Sequence, residues 1–357
     1  MKGFLKVVVV LIVLLLVFYY TDDRIKENEL LESLPKQVTA IPQLNDGVGA
    51  PITQTSRPAE GLSTYVGKST DELIEKMGKP DRIEPSSYGY NWWIYFEDIN
   101  FMAGVTTENQ VNQIYTSTLL SDVKPFTIGQ KVEDIYRFTI VESEVNVSLN
   151  DNVYTFSLNG EDQKNRLLII YKDLYAQLYV DQVDGVLEGV RFIDPETLVL
   201  HQPYDMTFTG EMLVPHVPSS TVQVEVDRAA ERQIFELTNS YRQKRNIPEL
   251  EMDYQLKVVA QKHSKDLMLG SYSSSQALEP DNLTNRLKEA GIDQKRAGEN
   301  IASNYVDAIE VVHGWLNSSA HRKVMLDKYF THIGTGVFGK VYSESLILKN
   351  KDDDRRK

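Results

Sequence analysis

Hydrophobic and polar positions are arranged in three different ways along this chain. Residues 7–20 are apolar without interruption, residues 65–200 contain short runs in which aromatic and polar positions alternate, and the region from residue 227 has apolar positions at three- and four-residue steps. The first pattern is typical of a membrane span, the second of antiparallel strands and the third of amphipathic helices. The chain is therefore predicted to be an α+β protein with a membrane-directed start.

The apolar run at the N-terminus follows Lys2 and Lys6 and closes with a tyrosine pair. A spanning helix needs about 20 residues, and residues 4–20 approach this length if Lys6 reaches toward the headgroups. No small-x-small site follows the run, which favours an uncleaved anchor over the alternative, a cleaved signal peptide. The lysines predict a single-pass protein of the cell membrane, with a cytoplasmic N-terminus and all residues from Asp22 onward extracellular.

Proline-containing polar stretches separate the remaining patterns and predict the domain boundaries. The predicted order is an anchor at 1–22, a tether at 23–60 with one helix-like piece at 25–34, a first domain at 61–200, a linker at 201–226 and a second domain at 227–345. Within the first domain, Val66–Ile74 is similar to Ile128–Tyr136, and strand-like runs follow both segments. This predicts a duplicated unit of one helix followed by an antiparallel sheet.

Ionisable and aromatic residues are concentrated in residues 297–326, around one amphipathic helix. Glu299 lies in a turn before this helix, and His321 opens a short helical run after it. Because the two residues flank one apolar-faced helix, we expect them to approach each other in a cleft and form a hydrogen-bonded pair. A carboxylate beside an imidazole predicts a His321 pKa above its ordinary value of about 6.5, unless burial outweighs the pair.

Three motifs occur in order in the second domain: GENIA at 298–302, GWLNSSAHR at 314–322 and THIGTGV at 331–337. Together they resemble bacterial members of the CAP superfamily, also called SCP-like, which includes cysteine-rich secretory and plant pathogenesis-related proteins. The resemblance extends upstream from GENIA and implies an α/β/α sandwich with a cleft. The first domain, by its position, resembles the CAP-associated N-terminal domain of Bacillus-type proteins.

The resemblance also implies which residues line the cleft: Glu299, His321, Ser275, Ser318, Asn300 and Trp315. The wider family has two histidines and two acids there, and Ser275 and Ser318 stand where one histidine and one acid are expected. Zinc usually requires three protein ligands, and Glu299 and His321 supply only two, so we predict no metal. No other cofactor is predicted either. Family members usually finish with an aromatic-rich strand, whereas the charged end after Leu348 predicts a short last strand or an incomplete module.

Charge and composition exclude some classes of partner and of structure. A net charge of −13 argues against nucleic acid as a partner, and the absence of cysteine excludes disulfides. We therefore predict an extracellular, membrane-anchored binding module for a protein, glycan or lipid ligand at the cell surface. One alternative is a hydrolase of peptide or cell-wall material in which His321 and Glu299 activate a nearby serine. The other is a purely structural surface protein.

Overall fold

The computed structural model describes residues 25–42, 56–96, 100–270 and 282–349. The chain divides into two compact units, one formed by Leu34–Ala229 and the other by Met1–Ser33 together with Ala230–Lys357. The predicted anchor at residues 4–20 lies outside the described residues. Within the described ranges, no helix combines the length and apolarity needed to cross a membrane.

Seventeen strands are found in the described part of the chain. They are β1 (Ile25–Glu27), β2 (Leu31–Glu32), β3 (Val38–Ala40), β4 (Arg82–Pro85), β5 (Asn91–Tyr95), β6 (Phe101–Val105), β7 (Val111–Thr116), β8 (Glu144–Leu149), β9 (Asn152–Ser157), β10 (Arg166–Ile170), β11 (Tyr175–Asp181), β12 (Val186–Ile193), β13 (Asp205–Thr209), β14 (Glu251–Met252), β15 (Gln294–Ser303), β16 (His332–Phe338) and β17 (Val341–Lys349).

The helices of the same residues alternate with these strands. They are α1 (Thr70–Met77), α2 (Val132–Phe138), α3 (Asp162–Asn165), α4 (Pro195–His201), α5 (Ser220–Lys244), α6 (Tyr254–Met268), α7 (Leu283–Glu289), α8 (Ala308–Asn317) and α9 (Ser319–Met325), and a 3-10 turn spans Leu62–Tyr65.

The unit Leu34–Ala229 is built on a seven-stranded antiparallel sheet with the order β10-β11-β12-β7-β6-β5-β4. A second sheet, β3-β13-β9-β8, has a separate apolar cluster. Two glycines with left-handed backbones, Gly67 (φ 85°) and Gly129 (φ 87°), precede α1 and α2. Their amides donate to the carbonyls of Val111 and Leu187, at 2.6 and 2.7 Å, so both predicted helix-starting turns contact a strand in the same way. The duplication itself stays a prediction.

Two segments expected to be irregular contain regular structure. The predicted tether includes β1, β2 and β3 instead of a helix-like piece, and the predicted linker includes β13 and the start of α5. The tether strands β1, β2 and β3 are short, and their side chains are exposed or half-buried, so they carry no apolar alternation. Strand β13 alternates polar and apolar residues over only five positions, beside the prolines of the predicted linker. Hydrogen bonds to a neighbouring strand fix their conformation, and such tertiary pairing is invisible to a local pattern.

The C-terminal unit is a helix–sheet–helix sandwich. Its sheet has the order β1-β15-β17-β16-β14, and β2 pairs with β15 beside β1. One face packs on α6 and α7 through Leu256, Leu287, Ala297 and Ile347. The other face carries α9 through Val324 and Leu346, together with α5 and α8, and these three helices complete the third layer.

The last strand is complete, so the prediction of a short strand or an incomplete module is wrong. Strand β17 has nine residues and lies inside the sheet, antiparallel to both β15 and β16. Its first seven residues are buried although three of them, Ser343, Glu344 and Ser345, are polar. Their side chains are hydrogen-bonded within the unit, which lets a strand without an aromatic-rich end occupy an interior position.

Candidate functional site

The GEN motif lies in the middle of β15, where neighbouring side chains alternate between the two faces of the sheet. Glu299 is paired with Ser345 and Asn300 with Glu344 on β17. Glu299 therefore points toward the face covered by α6 and α7, whereas Asn300 points toward the face covered by α9. The motif thus contributes one polar group to each side of the sheet.

Glu299 is fully buried and belongs to a charged cluster on the α6/α7 face. The Arg286 guanidinium donates to its Oε2, Ser345 Oγ donates to its Oε1 at 3.0 Å, and His263 Nε2 lies 3.7 Å from Oε2. Burial raises the pKa of Glu299 to about 7, and the nearby Arg286 charge opposes this effect. Arg286 also contacts Glu27, at 3.2 Å.

Asn300 organises the other face. Its Nδ2 donates to Glu344 Oε1 at 2.8 Å and to the main-chain carbonyl of His321 at 3.0 Å. Thr238 Oγ1 donates to the second oxygen of Glu344 at 2.9 Å. Burial raises the pKa of Glu344 to about 7. Glu344 was not among the candidates from the sequence; the available signal was an acid flanked by serines inside an otherwise aliphatic and aromatic strand.

His321 is hydrogen-bonded through both ring nitrogens. Nε2 lies 3.0 Å from the main-chain carbonyl of Glu29, and Nδ1 lies 2.8 Å from Ser318 Oγ. Because a carbonyl only accepts, Nε2 carries the proton and Nδ1 accepts from the serine hydroxyl. Burial lowers the pKa of His321 below its ordinary value. The imidazole is thus held neutral.

The predicted Glu299–His321 pair is therefore wrong, and so is the predicted rise of the His321 pKa. The hydrogen bonds of Glu299 come from Arg286 and Ser345, whereas those of His321 involve Ser318 and Glu29. The physical reason is the strand alternation, because Glu299 points away from the face on which α9 carries His321. A residue's place at one end of a helix does not reveal on which side of a sheet its side chain lies.

The edge of β15 is occupied by residues 25–33, which we call the N-terminal strap. Both of its strands are parallel to β15, with Glu27 paired to Glu299 and Leu31 to Ala302. Between these pairs the strap has one residue more than β15, and the carbonyl of Glu29, which contacts His321, lies in this interval. The strap thus follows β15 and also reaches a cleft candidate with its backbone.

Side chains of the strap reach both polar clusters. The Glu27 carboxylate accepts from the Leu283 amide at 2.6 Å and from Arg286, on the side of Glu299. Asn28 Nδ2 donates to Asn300 Oδ1 at 2.7 Å on the opposite side. The two halves of the candidate site therefore meet at one added strand.

The remaining candidates have different environments. Trp315 is fully buried within α8 and is a core residue. Ser275 lies outside the described residues. Within the described ranges, no group of three or more histidine, aspartate or glutamate side chains is arranged to hold a metal ion.

Fold and motifs together define a two-part protein with a CAP sandwich. The family model described as the cysteine-rich secretory protein family matches residues 235–343, and the model described as CAP-associated N-terminal matches residues 66–204. The chain is 36% identical over 310 residues to the uncharacterized membrane protein YlbC of Bacillus subtilis (strain 168), covering 86% of this chain and 89% of that protein. This chain belongs to the bacterial CAP superfamily.

Further similarities agree with this assignment. The uncharacterized protein YkwD of Bacillus subtilis (strain 168) is 37% identical over 123 residues, 34% of this chain and 48% of that protein. An extracellular protein containing a SCP domain from Bacillus anthracis str. Ames is 33% identical, with a TM-score of 0.76 over 85% of this chain and all of that chain. A cysteine-rich secretory protein from Staphylococcus aureus Mu50 is 26% identical, with a TM-score of 0.74 over 90% of this chain and all of that chain.

Proposed function

We propose that this protein is anchored in the cell membrane by residues 4–20, faces outward, and binds another macromolecule through the β15 edge of its CAP unit. The observation that carries the proposal is the way in which this edge holds an extended polypeptide segment. Backbone pairing, a carboxylate contact with Arg286 and an amide contact with Asn300 act together on the N-terminal strap.

This combination is typical of recognition by strand addition. In that mode the main-chain hydrogen bonds provide affinity, and side chains on alternate faces provide specificity. Glu27 and Asn28 are adjacent and contact groups on opposite faces of the sheet. The β15 edge can therefore select the side chains at two consecutive positions of an added strand. Such a site suits an interaction module at a cell surface.

The hydrolase alternative has one observation in its favour, the 2.8 Å hydrogen bond between Ser318 Oγ and His321 Nδ1. Glu299 does not orient this imidazole, since a main-chain carbonyl contacts its other nitrogen. Ser318 and His321 are also three residues apart at the start of α9, where such contacts form locally. Labelling by a serine-reactive phosphonate that disappears in Ser318→Ala, but not in Ser319→Ala, would establish the hydrolase instead.

The binding proposal is tested with the outward part of the chain, from Asp22 onward, applied to cells that lack the gene. We expect saturable binding that is lost when the cells are first treated with protease. Arg286→Gln should weaken this binding about tenfold or more, because a charge-assisted contact with the added strand is removed. Lys288→Gln, an exposed position on the same helix, is the matched control.

Two results would contradict the proposal. One is the absence of saturable binding by the unsubstituted chain, and the other is an equal loss of binding in Arg286→Gln and Lys288→Gln. Binding that resists protease but disappears after removal of glycans or lipids would assign the ligand to one of those classes and would contradict recognition by strand addition, because neither has a peptide backbone. Each variant is first compared with the unsubstituted chain by its 19F spectrum after 5-fluorotryptophan labelling, which reports on the buried Trp315.

A further inference from the structure

We propose that the N-terminal strap is a built-in substitute for a ligand: it leaves β15, and an extended acidic peptide segment of another cell-surface protein takes its place in the same parallel register. This inference rests on the proposed function and specifies both the ligand chemistry and its control. It makes the strap a competitive inhibitor within the same chain.

The chemistry of the ligand follows from what the site holds. The strap contains Glu27, Glu29 and Glu32 against a single lysine, Lys26. Glu27 contacts the Arg286 guanidinium and the Leu283 amide, and Glu32 accepts from Asn304 Nδ2 at 3.0 Å. A replacing peptide thus needs a carboxylate at the position of Glu27.

The next position of the peptide contacts the side-chain amide of Asn300. Asn28 donates to Asn300 Oδ1, and both donor hydrogens of the Asn300 amide are already directed to Glu344 and His321. Asn300 therefore presents an acceptor to the added strand, so the matching peptide residue must be a donor. One residue further on, the peptide backbone presents a carbonyl to His321 Nε2.

The strap can leave the sheet more easily than β17, the strand on the other side of β15. None of the nine strap residues is buried, and Ile25 and Leu30 are 38% and 44% exposed. By contrast, Val341–Ile347 of β17 are all buried and paired on both sides. A segment that is paired on one side only and has few buried apolar contacts opens at lower free energy than an interior strand, which opens only with the whole unit.

The occupant is a foreign chain and not the strap of a second copy. A segment within the same chain competes at an effective concentration of about millimolar, so an identical strap from another molecule gains no advantage. A foreign peptide can bind β15 more tightly than the strap by burying apolar side chains, because no side chain of the strap is buried. Strap release then decides when the site is available.

The experiment uses the outward part of the chain and a fluorescein-labelled peptide with the sequence of residues 25–34. Binding is measured by fluorescence anisotropy for the unsubstituted chain, for a loosened strap (Glu27→Ala with Asn28→Pro), and for a chain lacking residues 25–33. The introduced proline has no backbone amide to donate to the Glu299 carbonyl and no side-chain amide for Asn300. The residues that contact the strap from the rest of the C-terminal unit are unchanged in both altered chains.

We expect both altered chains to bind the peptide at least about tenfold more tightly than the unsubstituted chain. A peptide with Glu27→Lys should lose this binding, and Arg286→Gln in the loosened chain should also lose it. Amide hydrogen exchange should be faster in residues 25–33 than in β17. The proposal is overturned if the altered chains, with the Trp315 signal of a folded unit, bind no more tightly than the unsubstituted chain, or if the Glu27→Lys peptide binds equally well.

The outcome is separable from that of the proposed function. If the peptide fails but the unsubstituted chain binds cells in a manner that depends on Arg286, an acidic peptide is not the ligand that replaces the strap, and the proposed binding function stands. If the altered chains bind both the peptide and the cells more tightly than the unsubstituted chain does, both proposals stand. Dimers formed by strap exchange, detected by light scattering, would refute the choice of a foreign chain.

Discussion

Glu344 offers the sharpest test of the buried polar groups around β15. Its carboxyl is fully buried, and burial raises its pKa from 4.5 to about 7. The unfolded chain releases this proton near pH 4.5, while the folded protein retains it to about pH 7, so stability falls as pH rises through this window. At about 1.4 kcal/mol per pKa unit, the loss is roughly 3 kcal/mol at pH 8.

The perturbation is Glu344→Gln, which resembles the protonated acid. The Gln carbonyl accepts from Asn300 Nδ2, and its amide donates to Thr238 Oγ1, whose hydroxyl rotates to accept. We expect the variant to be more stable than the unsubstituted protein by roughly 2–3 kcal/mol at pH 8 and to differ little at pH 4.5. The pH dependence that remains includes that of Glu299, which has the same sign, and that of His321, which has the opposite sign.

The assay is urea denaturation at pH 4.5, 6 and 8, followed by the 19F signal of Trp315, the only tryptophan of the C-terminal unit. Glu289→Gln, at an exposed position of α7, is the control. If Glu344→Gln is no more stable than the unsubstituted protein at pH 8, or is equally stabilised at pH 4.5, then burial does not dominate the titration of Glu344.

Three further outcomes are expected. Protease treatment of intact cells should remove both folded units from the membrane fraction, whereas a mature protein in the medium with a new N-terminus near Tyr20 would disprove the anchor. The imidazole of His321 should titrate by NMR below pH 6.5, and stability should fall as pH drops through that range; a higher value would contradict the burial argument. Gly336→Ala should lower stability by roughly 1–3 kcal/mol or more, because its Cβ would lie 2.2 Å from the α6 backbone at Ala260, while Gly160→Ala, with open space around it, should not.

Sequence motifs identified the family because they are local and ordered. GENIA, GWLNSSAHR and THIGTGV lie on β15, on α8 with α9, and on β16. Apolar periodicity also predicted α6 and α8, whose stripes face a single sheet. These features depend on near neighbours in the chain, so a pattern of residues is sufficient to find them.

The candidate site was only partly predictable from the sequence. Glu299, Asn300 and His321 were identified from their motifs, and all three are buried at β15 or α9. Their partners were not, since Arg286 and Glu344 have no motif of their own. The register between β15 and β17 brings Glu344 beside Asn300, and the packing of α7 on the sheet brings Arg286 to Glu299; both are set by the whole unit.

By itself the sequence determined the family, the order of its two domains, and the residues from which the candidate site is made, because these follow from local spacing and composition. Only the tertiary structure decided that Glu299 and His321 lie on opposite faces of one strand, that β17 is an interior strand, and that residues 25–33 pair with β15. The physical reason is that strand pairing joins backbone groups, which are the same in every residue. The side chains of the N-terminal strap therefore gave no local sign of the strand to which it would bind.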